Sequence, residues 1–138
     1  MVCSLFVSQP ETAKADTING TEPILPVQYQ KLLGKGMDVD WSKTKKGQET
    51  FHKTIVKDFK NAGINHVRIR VKDNVSQDLF YHLDEQIRAC LEAGIIPIIA
   101  YQANGFKNSA SDEDMDKVVE WWSAVAEHYK NESYLVSD

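Results

Sequence analysis

In the stretch "HVRIRV", His66, Arg68 and Arg70 alternate with Val67, Ile69 and Val71, so one side of an extended segment carries two guanidinium groups. A guanidinium stays charged at any ordinary pH and offers a planar fork of donors that matches a carboxylate. Two of them at period-two spacing are suited to holding carboxylates, not to moving protons. A second stretch, "GMDVDW", has the complementary pattern, with Met37, Val39 and Trp41 alternating against Asp38 and Asp40. If the two stretches are neighbouring parallel strands, the acidic and basic sets meet on one face. An unpaired buried guanidinium is costly, and removing one partner of a buried pair costs roughly 3–5 kcal/mol. Asp38 or Asp40 is therefore expected to contact Arg68 or Arg70. A purely structural reading has one arginine capping the strand at the surface and Arg70 in a structural ion pair with these aspartates.

Other groups fit ligand contact better than catalysis. Trp41 and Tyr101 each end a strand-like run and are candidates for stacking on a ligand, with the amides of Gln102 and Asn104 beside them as hydrogen-bonding groups. Trp121 and Trp122 sit in mid-helix and read as packing. His52, His66, His82 and His128 lack the i,i+4 spacing of a metal pair, and no HExxH is present. Neither GxGxxG, a Walker A sequence, GxSxG nor a Cys/His cluster occurs, so no cofactor or metal is expected. Cys3 and Cys90 form no CxxC, and Cys90 lies on an apolar helix face.

The elements that must position these groups follow from periodicity. "GKGMDVDW" reads as a strand. After the polar loop "SKTKKGQET", Phe51, Ile55, Phe59 and Ala62 recur at helical spacing up to Gly63. "INHVRIRV" is the next strand, and Phe80, Leu83, Ile87 and Leu91 mark a helix from about Asp78 to Ala93, ended by Gly94. "IIPIIAY" is apolar throughout, as a strand buried on both faces is. The loop "QANGFKNSA" leads to Ser111, which with Asp114 resembles a capping box. It opens a helix carrying Met115, Val118, Trp122, Val125 and Tyr129. "SYLVSD" begins a fourth strand.

"NAGIN" at 61–65 and "EAGII" at 92–96 repeat the same order of helix end, Ala-Gly-Ile and strand start, 31 residues apart. Strand and helix alternating at that period give parallel strands with right-handed crossovers. A doubly wound open sheet and a (β/α)8 barrel both use this unit, the barrel needing about 250 residues. Three complete units and the start of a fourth strand favour the N-terminal near-half of a barrel, over residues 34–138. In a barrel the reactive groups lie at the carboxyl ends of the strands. Those ends are Asp40–Trp41, Arg70–Lys72 and Tyr101–Phe106, a set without two convergent carboxylates.

The chain of 138 residues has room for one domain, and its 42% hydrophobic and 26% charged content is that of a globular protein. The net charge of −4 argues against a nucleic-acid or anionic-membrane surface, and Lys43, Lys45 and Lys46 read as a solvated loop. No apolar run reaches the roughly 18–20 residues that cross a bilayer. Residues 1–15 read either as the back half of a secretory signal, with Ala13-Lys14-Ala15 as a cleavage site, or as a native tail. Residues 16–33 read as an extended lead-in. The sequons at Asn19, Asn74 and Asn131 are compatible with an extracellular location and do not decide it.

"AGINHVRIRV" resembles the second-strand signature of glycoside hydrolase family 5, the cellulase family, of the form G-[FIM]-N-x-[VI]-R-[IVL]-P-[VIW]. "GKGMDVDW" sits where that family has a first strand of the type G-x-N-x-x-x-W. "LDEQIRACLEAGIIPIIAYQA" and "WWSAVAEHYKNESYLV" are similar to its second helix with third strand and its third helix leading to strand four. The resemblance runs from about Gly34 to the last residue. It implies that Arg68 lies beside the catalytic nucleophile and supports it by hydrogen bonding. Arg70 stands in place of the usual proline, and Gln102 where many members have histidine, which marks a divergent subfamily. The family's two glutamates, at the ends of strands four and seven, would fall beyond Asp138. The resemblance thus implies a fragment of a secreted, retaining β-glycanase acting on a β-glucan, with mannan the less favoured substrate, and itself inactive. The alternatives are a non-catalytic α/β module that binds a ligand or partner, and a barrel enzyme of other chemistry. An unfinished sheet edge is expected to promote self-association.

Overall fold

The computed structural model describes residues 25–131, 136 and 137, so the leader and residues 16–24 of the lead-in lie outside the described residues. The elements run α1 (Pro26–Leu33), β1 (Gly36–Val39), α2 (Lys45–Thr50), α3 (Lys53–Asn61), β2 (His66–Val71), α4 (Gln77–Glu92), β3 (Ile96–Tyr101), α5 (Asn104–Ser109), α6 (Asp112–Tyr129) and β4 (Val136–Ser137). The strands form one parallel sheet in the order β1-β2-β3-β4. Each described strand thus pairs with its predecessor, and the order never reverses as it does at the switch point of a doubly wound sheet.

The 31-residue repeat has a backbone cause. Gly63 and Gly94, which follow α3 and α4, have φ of 84° and 69°. Only glycine adopts that left-handed conformation without strain, so each stops its helix and turns the chain into a strand. Lys60 adds a tie between the two repeats, its Nζ donating to the Gly94 carbonyl oxygen at 2.8 Å.

The alternation of β2 sorts its side chains cleanly. Val67, Ile69 and Val71 are fully buried on the helix side, packed in one core with Val56, Leu79, Leu83, Ile87, Cys90, Trp121 and Val125. Each such side chain contributes about 1.5–3 kcal/mol relative to exposure. His66, Arg68 and Arg70 are only partly buried on the opposite face. β3 is buried on both faces from Ile96 to Ala100, as its unbroken apolar run requires.

Three segments differ from the sequence reading. Residues 26–33, expected to be extended, form α1, because Pro26 occupies the first helical position, where its missing N–H is no loss. The polar loop after β1 contains α2, whose N-cap Thr44 accepts a hydrogen bond from the Gly47 N–H at 3.1 Å. The loop after β3 contains α5, which ends at Ala110 with φ of 48°. No residue of α1 or α5 is buried, so neither carries the apolar periodicity that exposes a helix to sequence reading.

Candidate functional site

Strand register brings the charged residues together. Gly36, Met37, Asp38 and Val39 lie opposite His66, Val67, Arg68 and Ile69. Arg68 Nη1 is 3.3 Å from Asp38 Oδ1. Arg70 donates from Nε to Asp40 Oδ1 at 2.7 Å, and its Nη1 is 3.8 Å from Asp38 Oδ2. Lys43 reaches the other oxygen of Asp40 at 3.6 Å. Asp38 is thus shared between two guanidinium groups and Asp40 between two cations. Both carboxylates are occupied by these cations, which suits them to fixing the arginines. The side chains of Arg68 and Asp38 are 44% and 42% exposed. The cost expected for buried pairs therefore does not apply here, and exposed pairs contribute about 0.2–1 kcal/mol.

Below this layer, His66 is structural. Its Nδ1–H donates to the Leu33 carbonyl oxygen at 2.6 Å, and its ring lies across Gly36 so closely that a Cβ there would come within 1.9 Å of Nε2. The other histidines are scattered. His52 precedes α3, His82 lies 3.8 Å from Asp78, and His128 contacts Asp84 at 3.1 Å while stacking on Phe80. Among the described residues no group of His, Cys, Asp and Glu could hold a metal ion, and no helix is long and apolar enough to cross a membrane.

The residues expected to bind a ligand are split between the two faces of the sheet. Trp41 is 9% exposed and packs against Phe51 and Phe59, with ring centroids 4.9 and 5.9 Å away. It belongs to the core beneath the helices, so the stacking role assigned to it is corrected: it continues the Met37–Val39 parity and points away from Asp38 and Asp40. Tyr101 pairs with Val71 and shares its helix-side parity. Its ring lies flat on Trp121, 4.1 Å between centroids and 5° between planes, so one of its two faces is already taken. Gln102 continues the ladder, its N–H donating to the Val71 carbonyl oxygen at 2.6 Å, which assigns its side chain to the arginine face by alternation. Asn104 opens α5 and is exposed.

Tyr101 and Asn104 instead border a cleft of about 590 Å³ at the carboxyl ends of β2 and β3, between those strand ends and α6. Its walls include Lys72, Asn74, Phe106 and Glu120, with Trp121 at the base. The Trp121 indole N–H is committed to the Asp73 carbonyl oxygen at 3.0 Å, which fixes the ring. Sequence reasoning read Asn74 only as a sequon and passed over Glu120. The signal that could have found them is positional, since Asn74 follows β2 and Glu120 lies one residue before Trp121 on α6.

Four titratable groups outside the charged face are displaced from their ordinary values, Tyr29 and Cys90 upward by burial and Asp114 and Lys117 chiefly by hydrogen bonds. The Ser109 hydroxyl, and then Lys117, hold the Asp114 carboxyl below its usual range, while the Ser111 hydroxyl accepts from the Asp114 N–H at 3.2 Å in a helix cap. Burial pushes the Cys90 thiol up to about 12. Both arrangements are structural: one caps α6, the other fills the core.

A parallel α/β sheet in sequential order, with an arginine–aspartate layer on the face opposite its hydrophobic core, agrees with a match found across most of the chain. The family model for cellulase, glycosyl hydrolase family 5, matches residues 26–138. The chain belongs to glycosyl hydrolase family 5. No curated protein matches it. Family 5 enzymes are glycosidases built on a (β/α)8 barrel, and membership implies polysaccharide as the family's substrate class. The matched span covers β1 to β4, and with them every residue of the charged face and of the cleft.

Proposed function

We propose that the chain forms the first three βα units and the start of the fourth strand of a (β/α)8 β-glycanase that cleaves β-1,4-glucan with retention of configuration. The family match over residues 26–138 is the observation that carries this reading. The consecutive parallel strand order and the one-sided hydrophobic core over β2 support the barrel, because closing such a sheet turns its arginine face inward.

In that barrel Arg68 projects into the interior beside the nucleophile. Retaining hydrolysis needs two carboxyl groups about 5 Å apart, one protonating the leaving oxygen and one attacking the anomeric carbon. Asp38 and Asp40 are a poor pair for this, since both are already engaged by cations. The acid/base and the nucleophile are then glutamates supplied by later strands of the barrel, and the 138 residues alone are inactive. Arg68 holds the nucleophile ionised and oriented through charge-assisted hydrogen bonds, and Asp38 orients Arg68. Gln102 faces the same interior and contacts sugar hydroxyls. The enzyme acts outside the cell, on an insoluble or viscous substrate. Without neighbouring strands the outer edge of β1 pairs with a second copy of the chain.

The test is to express the reading frame continued past residue 138 and follow carboxymethylcellulose hydrolysis, with the product anomer read by proton NMR. The β-anomer is expected first. An α-anomer, or no hydrolysis of any β-glucan or β-mannan, contradicts the reading.

A further inference from the structure

We infer that the cleft bounded by Tyr101, Asn104 and α6 is a second carbohydrate site, separate from the reaction centre, that holds a neutral sugar unit of a β-linked chain. This rests on the reading that the protein works on a polysaccharide. Its position is set by strand parity. Tyr101 shares the helix-side face with Val71, whereas Arg68 and Arg70 occupy the opposite face, so the cleft opens outside the ring of strands and not into its centre. It still lies at the carboxyl ends of β2 and β3, the rim along which a bound chain would run.

Its volume of about 590 Å³ falls within the range of small-molecule sites. Its chemistry is that of a hydroxyl-rich ligand. The charged lining residues are Lys72 and Lys117 against Asp114 and Glu120, two of each sign, and Lys117 already pairs with Asp114 at 2.9 Å. A balanced lining offers nothing to attract a phosphate or a carboxylate ligand. The amides of Asn74 and Asn104 each donate and accept, and Glu120 accepts, which matches the mixed donor and acceptor character of sugar hydroxyls. Tyr101, backed by Trp121, presents a half-buried flat ring held in place from behind, suited to the C–H face of a pyranose. Trp121 gives the site a built-in reporter, and Trp41, behind Phe51 and Phe59, gives an internal control.

The 138-residue chain, labelled with ¹⁵N, is titrated with cellotetraose and, separately, with mannotetraose, following the indole N–H resonances. A saturable shift of the Trp121 resonance is expected with that of Trp41 unmoved, and the sugar giving the tighter curve identifies the chain recognised. Asn104→Ala and Glu120→Gln, both at exposed positions, are each expected to weaken binding about tenfold, the equivalent of one lost hydrogen bond. The absence of a saturable Trp121 shift with both sugars overturns the inference, as does binding that neither substitution weakens. Retaining hydrolysis by the longer chain alongside such a result leaves the glycanase reading standing and removes only the second site.

Discussion

Arg70 closes on a single oxygen of Asp40, with Nε at 2.7 Å and Nη2 at 2.6 Å from Oδ1. The adjacent Asp38 bridges Arg70 and Arg68, so the four side chains form one layer across β1 and β2. The consequence is that Arg68, the residue aimed at the proposed nucleophile, is oriented by β1 as well as by its own strand.

A double-mutant cycle between Arg70→Ala and Asp40→Ala measures this layer. With side-chain exposures of 30% and 49%, solvent screens the pair, and a coupling energy of about 0.5–1 kcal/mol is expected from denaturant melts of the 138-residue chain. If the proposed barrel closes in the protein expressed from the reading frame continued past residue 138, it buries the layer and the coupling should exceed that value. Equal couplings in the two contexts would mean that this face is not interior.

Most of the framework was legible because its signals are apolar and periodic. "HVRIRV" showed its parity in the letters, and the two Ala-Gly-Ile repeats marked helix ends that become left-handed glycines. The short helices α1, α2 and α5 were missed because local capping and Pro26 build them, with little or no buried stripe to reveal them. Trp41 illustrates a different failure. Its position at a strand end suggested ligand contact, but parity with Val39 already assigned it to the helix side, where it is buried. Period two was the stronger signal, because a side chain cannot change faces without a bulge.

Gly36 is expected to tolerate no side chain. A Cβ would overlap the His66 ring, so Gly36→Ala should destabilise the chain by about 1–3 kcal/mol. Adding His66→Ala should recover part of that loss, a non-additivity visible in the urea midpoints.

In the core, Leu83 is fully buried between α4 and the sheet. Leu83→Ala should cost about 2–5 kcal/mol in chemical denaturation, a large share of the stability of a domain this small. A cost below about 1 kcal/mol would contradict the packing described.

The Cys90 thiol, pushed up to about 12 by burial, should resist modification. In a Cys3→Ser background, a disulfide reagent at pH 8 is expected to leave Cys90 unmodified until denaturant unfolds the chain. Rapid labelling of the native protein would contradict its burial.

Asp114 carries an acid-sensitive contribution to stability. Its carboxyl titrates lower in the folded chain than in the unfolded one, so the contribution is fully present above the usual carboxylate range. It is lost as the pH falls through the lowered folded value. Thermal melts below about pH 4 should therefore steepen less for Asp114→Asn than for the unaltered chain.

The most direct test of the central claim is the turnover of Arg68→Ala in the protein continued past residue 138. If Arg68 supports the nucleophile from inside a family 5 barrel, kcat on a soluble β-glucan should fall by about 10²–10³-fold, the scale of losing a preorganised charge-stabilising donor. A thermal melt of the same variant checks that it is folded at the assay temperature, so that the loss is read as turnover. Unchanged kcat in a folded Arg68→Ala enzyme would contradict the account.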